Sequence, residues 1–141
     1  MIYLGLDYGT KRIGVACSDE TGTIADPLKT LVYRNENEIW VQLAGVLDET
    51  RANVIVVGMP KRTSGVEGVE AKAVQKFVSK IGERHFTCRV VTWDERFTSQ
   101  EADRLLRELN LSHEKRREKR DAVAAKIMLQ NYLDYQKMVN Q

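Results

Sequence analysis

The chain has 141 residues, of which 43% are hydrophobic and 30% charged, a balance that excludes an extended disordered polymer and suits one globular unit. Its net charge of +2 and pI near 8.5 allow a polyanionic partner without requiring one. No stretch approaches the ~20 apolar residues of a membrane span, the start lacks the basic region of a signal peptide, and Cys17 and Cys88 have no CxxC spacing. A cytoplasmic protein with buried free thiols, no membrane contact and a single domain over residues 1–141 is therefore expected.

In chain order, Ile2, Leu4 and Leu6 alternate with Tyr3, Gly5 and Asp7, the period of a strand that Asp7 closes. The turn residues Tyr8 to Lys11 lead into a second alternation through Ile13, Val15 and Cys17, predicting an antiparallel hairpin. A third strand is expected over 24–33, at a sheet edge because Pro27 cannot donate to a ladder. Asn35-Glu36-Asn37-Glu38 has capping-box spacing and opens a helix to about Thr50. The unbroken run Val54 to Val57 predicts a parallel strand buried on both faces, followed by a Gly-rich loop and a helix carrying Val69, Ala73, Phe77 and Ile81.

A fifth strand is expected from Cys88 to Trp93. Thr98 to Glu101 again has capping-box spacing before a helix with Ala102, Leu105, Leu106 and Leu109. The last helix should run from about His113 to Lys137. The fold class that follows is α/β, with a mixed five-stranded sheet: three antiparallel strands, then βαβ crossovers.

Ligands in open α/β sheets bind outside the carboxyl ends of the parallel strands, where Asp7, the loop 58–68 and Asp94-Glu95-Arg96 converge. Asp7 shares a face with Tyr3 and Gly5 and should point at a covering layer, where an isolated carboxylate is costly. Glu95 continues the face of Val91 and Trp93, although Asp94 competes with it for the same role. Asp121 heads a helical stripe of Ala124, Ala125, Met128, Tyr132 and Tyr135, and could alternatively pair with Arg117 or Arg120. Small Ala124 and Ala125 would let this helix approach the sheet.

Carboxylates gathered ~4 Å apart would repel by about 4 kcal/mol at an effective dielectric near 20, which a cation relieves. Oxygen-only ligands select hard ions such as Mg²⁺ or Mn²⁺, which commonly also take phosphate oxygens and so suit phosphodiester cleavage. Lys11, Arg12, Lys61, Arg62, Thr63, Ser64 and the basic run 115–120 could meet a phosphate chain. Thr98 and Ser99 could do so too, though helix capping also explains them.

Asp7-Tyr8-Gly9-Thr10-Lys11-Arg12-Ile13-Gly14-Val15-Ala16, Gly58-Met59-Pro60 with Gly65, Asp94-Glu95-Arg96-Phe97-Thr98-Ser99 and the block 121–130 together resemble the YqgF family. The blocks occur in family order and span nearly the whole chain. The resemblance implies a ribonuclease H-like fold similar to Holliday-junction resolvases, and nucleolytic maturation of the 5′ end of pre-16S ribosomal RNA. It puts Asp7, Glu95 and Asp121 at the catalytic, metal-holding positions and Lys11, Arg12 and the Gly58 loop among the nucleic-acid contacts. Lys126 departs from the otherwise apolar last block. Pre-ribosomal RNA is the favoured partner and branched DNA the alternative, acted on by a monomer or homodimer.

Two rival readings start from the same residues. Asp7 to Thr10 also looks like the phosphate-binding turn of sugar kinases, actin and Hsp70, which would make this a nucleotide site. A non-catalytic RNA-binding module would keep the fold and the basic residues alone.

Overall fold

The computed structural model describes residues 1–60, 67–84, 86–111 and 117–140. Strand β1 (Tyr3–Tyr8) and β2 (Arg12–Ser18) form the expected hairpin, closed by the Gly9 N–H donating to the Arg12 carbonyl at 2.9 Å. A Cβ on Gly9 would lie 2.7 Å from that oxygen, so the turn demands glycine. Strand β3 (Ala25–Val32) pairs with β2, and its register slips between Val15 and Ala16, next to the pairing with Pro27. β3 is an edge strand, as Pro27 required: the sheet order is β3-β2-β1-β4-β5, with β4 (Val54–Met59) and β5 (Arg89–Asp94) parallel to β1.

Helices cover both faces. Helix α1 (Glu36–Thr50) starts at Asn35, whose side chain accepts from the Glu38 N–H at 3.2 Å. The reciprocal half of the box is displaced by one residue, because the Glu38 carboxylate accepts from the Arg34 N–H and not from Asn35. With α2 (Glu67–Glu83), α1 packs on Leu4, Leu6, Ile13, Val15, Ile55 and Val57. Ala71, Val74, Phe77 and Ile81 form the buried stripe of α2, whereas Ala73 is exposed. Phe77 and Ile81 are thus buried as expected, Ala73 is replaced in the stripe by Val74, and the side chain of Val69 lies outside the described ones.

The opposite face is covered by α4 (Arg117–Val139), which buries Ala125, Met128, Leu129, Tyr132 and Leu133 against Ala16, Val54, Val56 and Trp93. Helix α3 (Gln100–Leu111) lies outside α4, where Ala102 and Leu109 meet Ile127 together with Val123 and Ala124. Ala124 therefore serves the helix–helix contact and not the sheet.

The close approach of α4 is made by glycines of the sheet. A Cβ on Gly14 would overlap the main-chain carbonyl of Asp121, and one on Gly5 would lie 2.9 Å from Leu129 Cβ. Cys17 and Cys88 are free but only half-buried, at the margin of the α1/α2 core, which corrects the expectation of full burial. Among the described residues, no helix is long and apolar enough to cross a membrane.

Candidate active site

One row of residues crosses the α4 side of the sheet at the carboxyl ends of β1, β4 and β5. Gly14 of β2 faces Asp7 of β1, and Gly58 of β4 faces Trp93 of β5. Gly58 lies one step past the Leu6 and Val57 pairing, beside Asp7. Two of the four positions are glycines, so the row is a shallow trough with a carboxylate in it.

Asp121 enters this trough because α4 begins against Gly14. Asp7 and Asp121 line one cleft of about 330 Å³ with Tyr8, Gly9, Thr10, Lys11 and Arg12. The Asp7 carboxyl is pushed up to about 6, first by burial and second by the neighbouring charge of Asp121. A side of Asp7 remains open to solvent, but most of its surroundings are protein. Arg12 donates from Nε to Asp121 Oδ2 at 2.6 Å. The sequence suggests Arg117 or Arg120 as partners of Asp121; the side chain of Arg117 lies outside the described ones, and among those described it is Arg12 of β2 that pairs with Asp121.

Glu95 begins a single 3₁₀ turn, Glu95–Phe97, and does not continue the strand. Its Oε1 lies 3.2 Å from where a Gly58 Cβ would stand, so the missing side chain at Gly58 makes room for it. Glu95 does not line the cleft of Asp7 and Asp121. Asp94 is used differently. Its side chain accepts from the Arg96 N–H at 2.9 Å and binds the Arg96 guanidinium at 2.6 Å. Asp94 thus caps the turn, while Glu95 is turned to Gly58.

Among the described residues, no three His, Cys, Asp or Glu side chains gather closely enough to form a metal-binding group. The structure brings Asp7 and Asp121 together and places Glu95 beside the adjoining strand. The oxygen-only donors of the pair, one of them resisting ionisation, nevertheless fit a hard divalent cation.

The remaining expected contacts fall unevenly. Lys11 is exposed on the cleft rim, while Arg12 is engaged with Asp121. Lys61, Arg62, Thr63, Ser64 and Gly65 lie outside the described residues, as do His113, where the last helix was expected to start, Lys115 and Arg116 of the basic run, and the side chain of Arg117. Ser99, and not Thr98, caps α3: its Oγ accepts from the Ala102 N–H at 3.1 Å. Thr98 ends the 3₁₀ turn, its N–H donating to the Glu95 carbonyl at 3.1 Å.

Asn131 was missed by sequence reasoning. From α4 it accepts from the Ser99 N–H at 3.2 Å and donates to the Phe97 carbonyl at 3.3 Å, fixing the segment after Glu95. A polar residue in the mostly apolar stretch 127–133 was the available signal.

A family model described as "RuvX: Holliday junction resolvase" matches residues 1–135. The chain belongs to the RuvX family. RuvX and YqgF are one family, so the resemblance read from the four sequence blocks holds. A RuvX relative from Thermoanaerobacter pseudethanolicus, named "Putative pre-16S rRNA nuclease", is 41% identical over 138 residues, covering 97% of this chain and 99% of its own. One of the same name from Geobacillus kaustophilus is 42% identical over 133 residues, covering 93% of this chain and 96% of its own.

Among solved structures, RuvC of Thermus thermophilus in complex with a Holliday junction substrate superposes with a TM-score of 0.63 at 17% identity. It covers 98% of this chain and 96% of that chain. The yeast mitochondrial Holliday junction resolvase Ydc2 gives 0.58 at 13% identity, covering 98% and 80%. These likenesses make the fold of this RuvX chain RuvC-like, within the ribonuclease H class.

Proposed function

We propose that the chain is a cytoplasmic, metal-dependent nuclease that hydrolyses a phosphodiester bond, with the 5′ region of pre-16S ribosomal RNA as its substrate. The observation that carries this reading is the meeting of Asp7 and Asp121 in one cleft beside the Tyr8 to Arg12 turn. The names of the relatives at about 40% identity support the choice of RNA over a DNA junction.

In this reading Asp7, Asp121 and Glu95 hold Mg²⁺ or Mn²⁺, which when bound supplies a low-pKa water and charge neutralisation at phosphate. Glu95 acts from its place over Gly58, the residue next to Asp7 in the row. Asp7, whose ionisation is resisted by burial and by the charge of Asp121, is stabilised in its charged form by a cation. Arg12 holds Asp121 in place and keeps the pair from carrying two uncompensated charges. Lys11 on the rim contacts backbone phosphates, and Lys61, Arg62, Thr98 and Ser99 are further candidates for such contacts by sequence. Such contacts position the strand without reading its sequence.

The test compares the wild type with Asp7→Asn on pre-16S rRNA, generic single-stranded RNA and a four-way DNA junction, with Mg²⁺ or Mn²⁺ and with EDTA. Cleavage of the pre-rRNA by wild type alone, lost in EDTA, is expected. Equal products from both proteins on every substrate would reject the assignment. Preferred cleavage of the junction would transfer the mechanism to DNA.

A further inference from the structure

The turn that carries Glu95 ends in Phe97, whose side chain is exposed, the residue keeping 55% of its surface in water. Beneath it lies a continuous aromatic cluster in which Phe97 stacks on Tyr135. The Phe97 ring is 5.9 Å from Tyr135 and 5.8 Å from Trp93; Trp93 is 5.0 Å from Tyr135 and meets Tyr132 edge-on at 5.5 Å. Trp93 is buried, so Phe97 is the outermost ring of a packed layer and not a side chain on a loose loop.

The backbone under Phe97 is fixed on both sides. Asp94 caps the turn at Arg96, Thr98 bonds back to Glu95, and Asn131 takes both the Phe97 carbonyl and the Ser99 N–H. A ring held rigidly in water has already lost the freedom that a binding partner would otherwise have to restrict. Arg96 is exposed beside it but paired to Asp94, so the patch offers a flat π surface with little net charge.

We propose that Phe97, backed by Tyr135 and Trp93, is a stacking platform for a nucleobase of a single-stranded segment leading into the cleft. The inference rests on the nuclease reading only for the strand's destination. Trp93 lies in the same row as Asp7, two strand spacings away, or ~10 Å. The Phe97 ring lies 5.8 Å from that of Trp93, on the turn that directly follows it. Stacking accepts any base, so the platform selects strandedness and not sequence. A duplex, whose bases are stacked inside except for the outer faces of its two end pairs, offers it no unpaired base.

The test measures binding of a fluorescein-labelled single-stranded RNA hexamer and of a blunt duplex RNA, in EDTA so that no cleavage accompanies binding. Phe97→Ala and Phe97→Leu should each weaken hexamer binding by about fivefold to a hundredfold, leaving duplex affinity unchanged. Phe97→Trp should bind as the wild type, with its added fluorescence quenched by the hexamer. Unchanged hexamer affinity in Phe97→Ala would overturn the proposal. So would wild-type affinity in Phe97→Leu, which would make the contact merely apolar. An equal loss for duplex, or a change confined to self-association in sedimentation, would overturn it as well. Because binding is read without cleavage, failure here leaves the nuclease reading intact, and an inactive wild type leaves this result interpretable.

Discussion

A carboxyl held near about 6 by burial and by Asp121 ionises over a different range from one in water, whose ordinary value is 3.8. Because the native value is the higher one, the folded protein carries no penalty below about pH 4, where the group is protonated in both states. The penalty grows between about 4 and 6 and is complete above that. Asp7→Asn removes it. In metal-free buffer the variant should match the wild type at pH 4 and exceed it by about 2 kcal/mol at pH 8, allowing for the partly open side of Asp7. Urea unfolding at both pH values measures this, and a difference that does not vary with pH would contradict the cause assigned. At Gly58, substitution by alanine places a methyl 3.2 Å from Glu95 Oε1, a flexible atom that can move. Gly58→Ala should therefore unfold within about 1 kcal/mol of wild type while losing at least about tenfold in cleavage rate; unaltered cleavage would remove Glu95 from the site. Asp7 was legible from strand phase and Asp121 from its helical stripe. The separate roles of Asp94 and Glu95 were not, because the strand ends at Asp94 and period-2 counting has no meaning in the 3₁₀ turn that follows.

At the scale of elements, α4 is seated by absence of side chains in the sheet. Gly14→Ala would drive its Cβ into the Asp121 carbonyl, backbone against backbone, with no flexible group to yield. A loss of about 3 kcal/mol is expected from such overpacking, together with loss of cleavage as Asp121 is displaced. Thermal or urea unfolding with a circular dichroism readout checks the first part, and wild-type stability would show that the helix can shift freely. Sequence alone credits the close approach to Ala124 and Ala125, yet Ala124 packs on α3. Helical periodicity identifies the residues of a face but not which neighbour covers it, so two layers of helix on one side of the sheet were beyond its reach. The cap of α3 is displaced by one residue, from Thr98 to Ser99, for a related reason. Serine, threonine and asparagine all cap, and the choice between Thr98 and Ser99 depends on where the preceding 3₁₀ turn stops.

At the scale of the molecule, the order β3-β2-β1-β4-β5 puts the ends of β1, β4 and β5 side by side and brings the start of α4 across β2. Residues 7 and 121, separated by most of the chain, become neighbours through that topology. The sheet was readable because Pro27 marked an edge and the doubly buried run at Val54 marked a centre. The Arg12 to Asp121 ion pair was not, since it depends on the crossing of α4 over β2. That pair and the cleft around it underlie the proposal that Asp7 and Asp121 work as a single unit. Single-turnover cleavage of pre-16S rRNA by wild type, Asp7→Asn, Asp121→Asn and the double variant tests it most directly. Each single substitution is expected to slow cleavage at least about a thousandfold, with the double variant no slower than the worse single one. Wild-type rates in either single variant, or losses that multiply in the double, would contradict it.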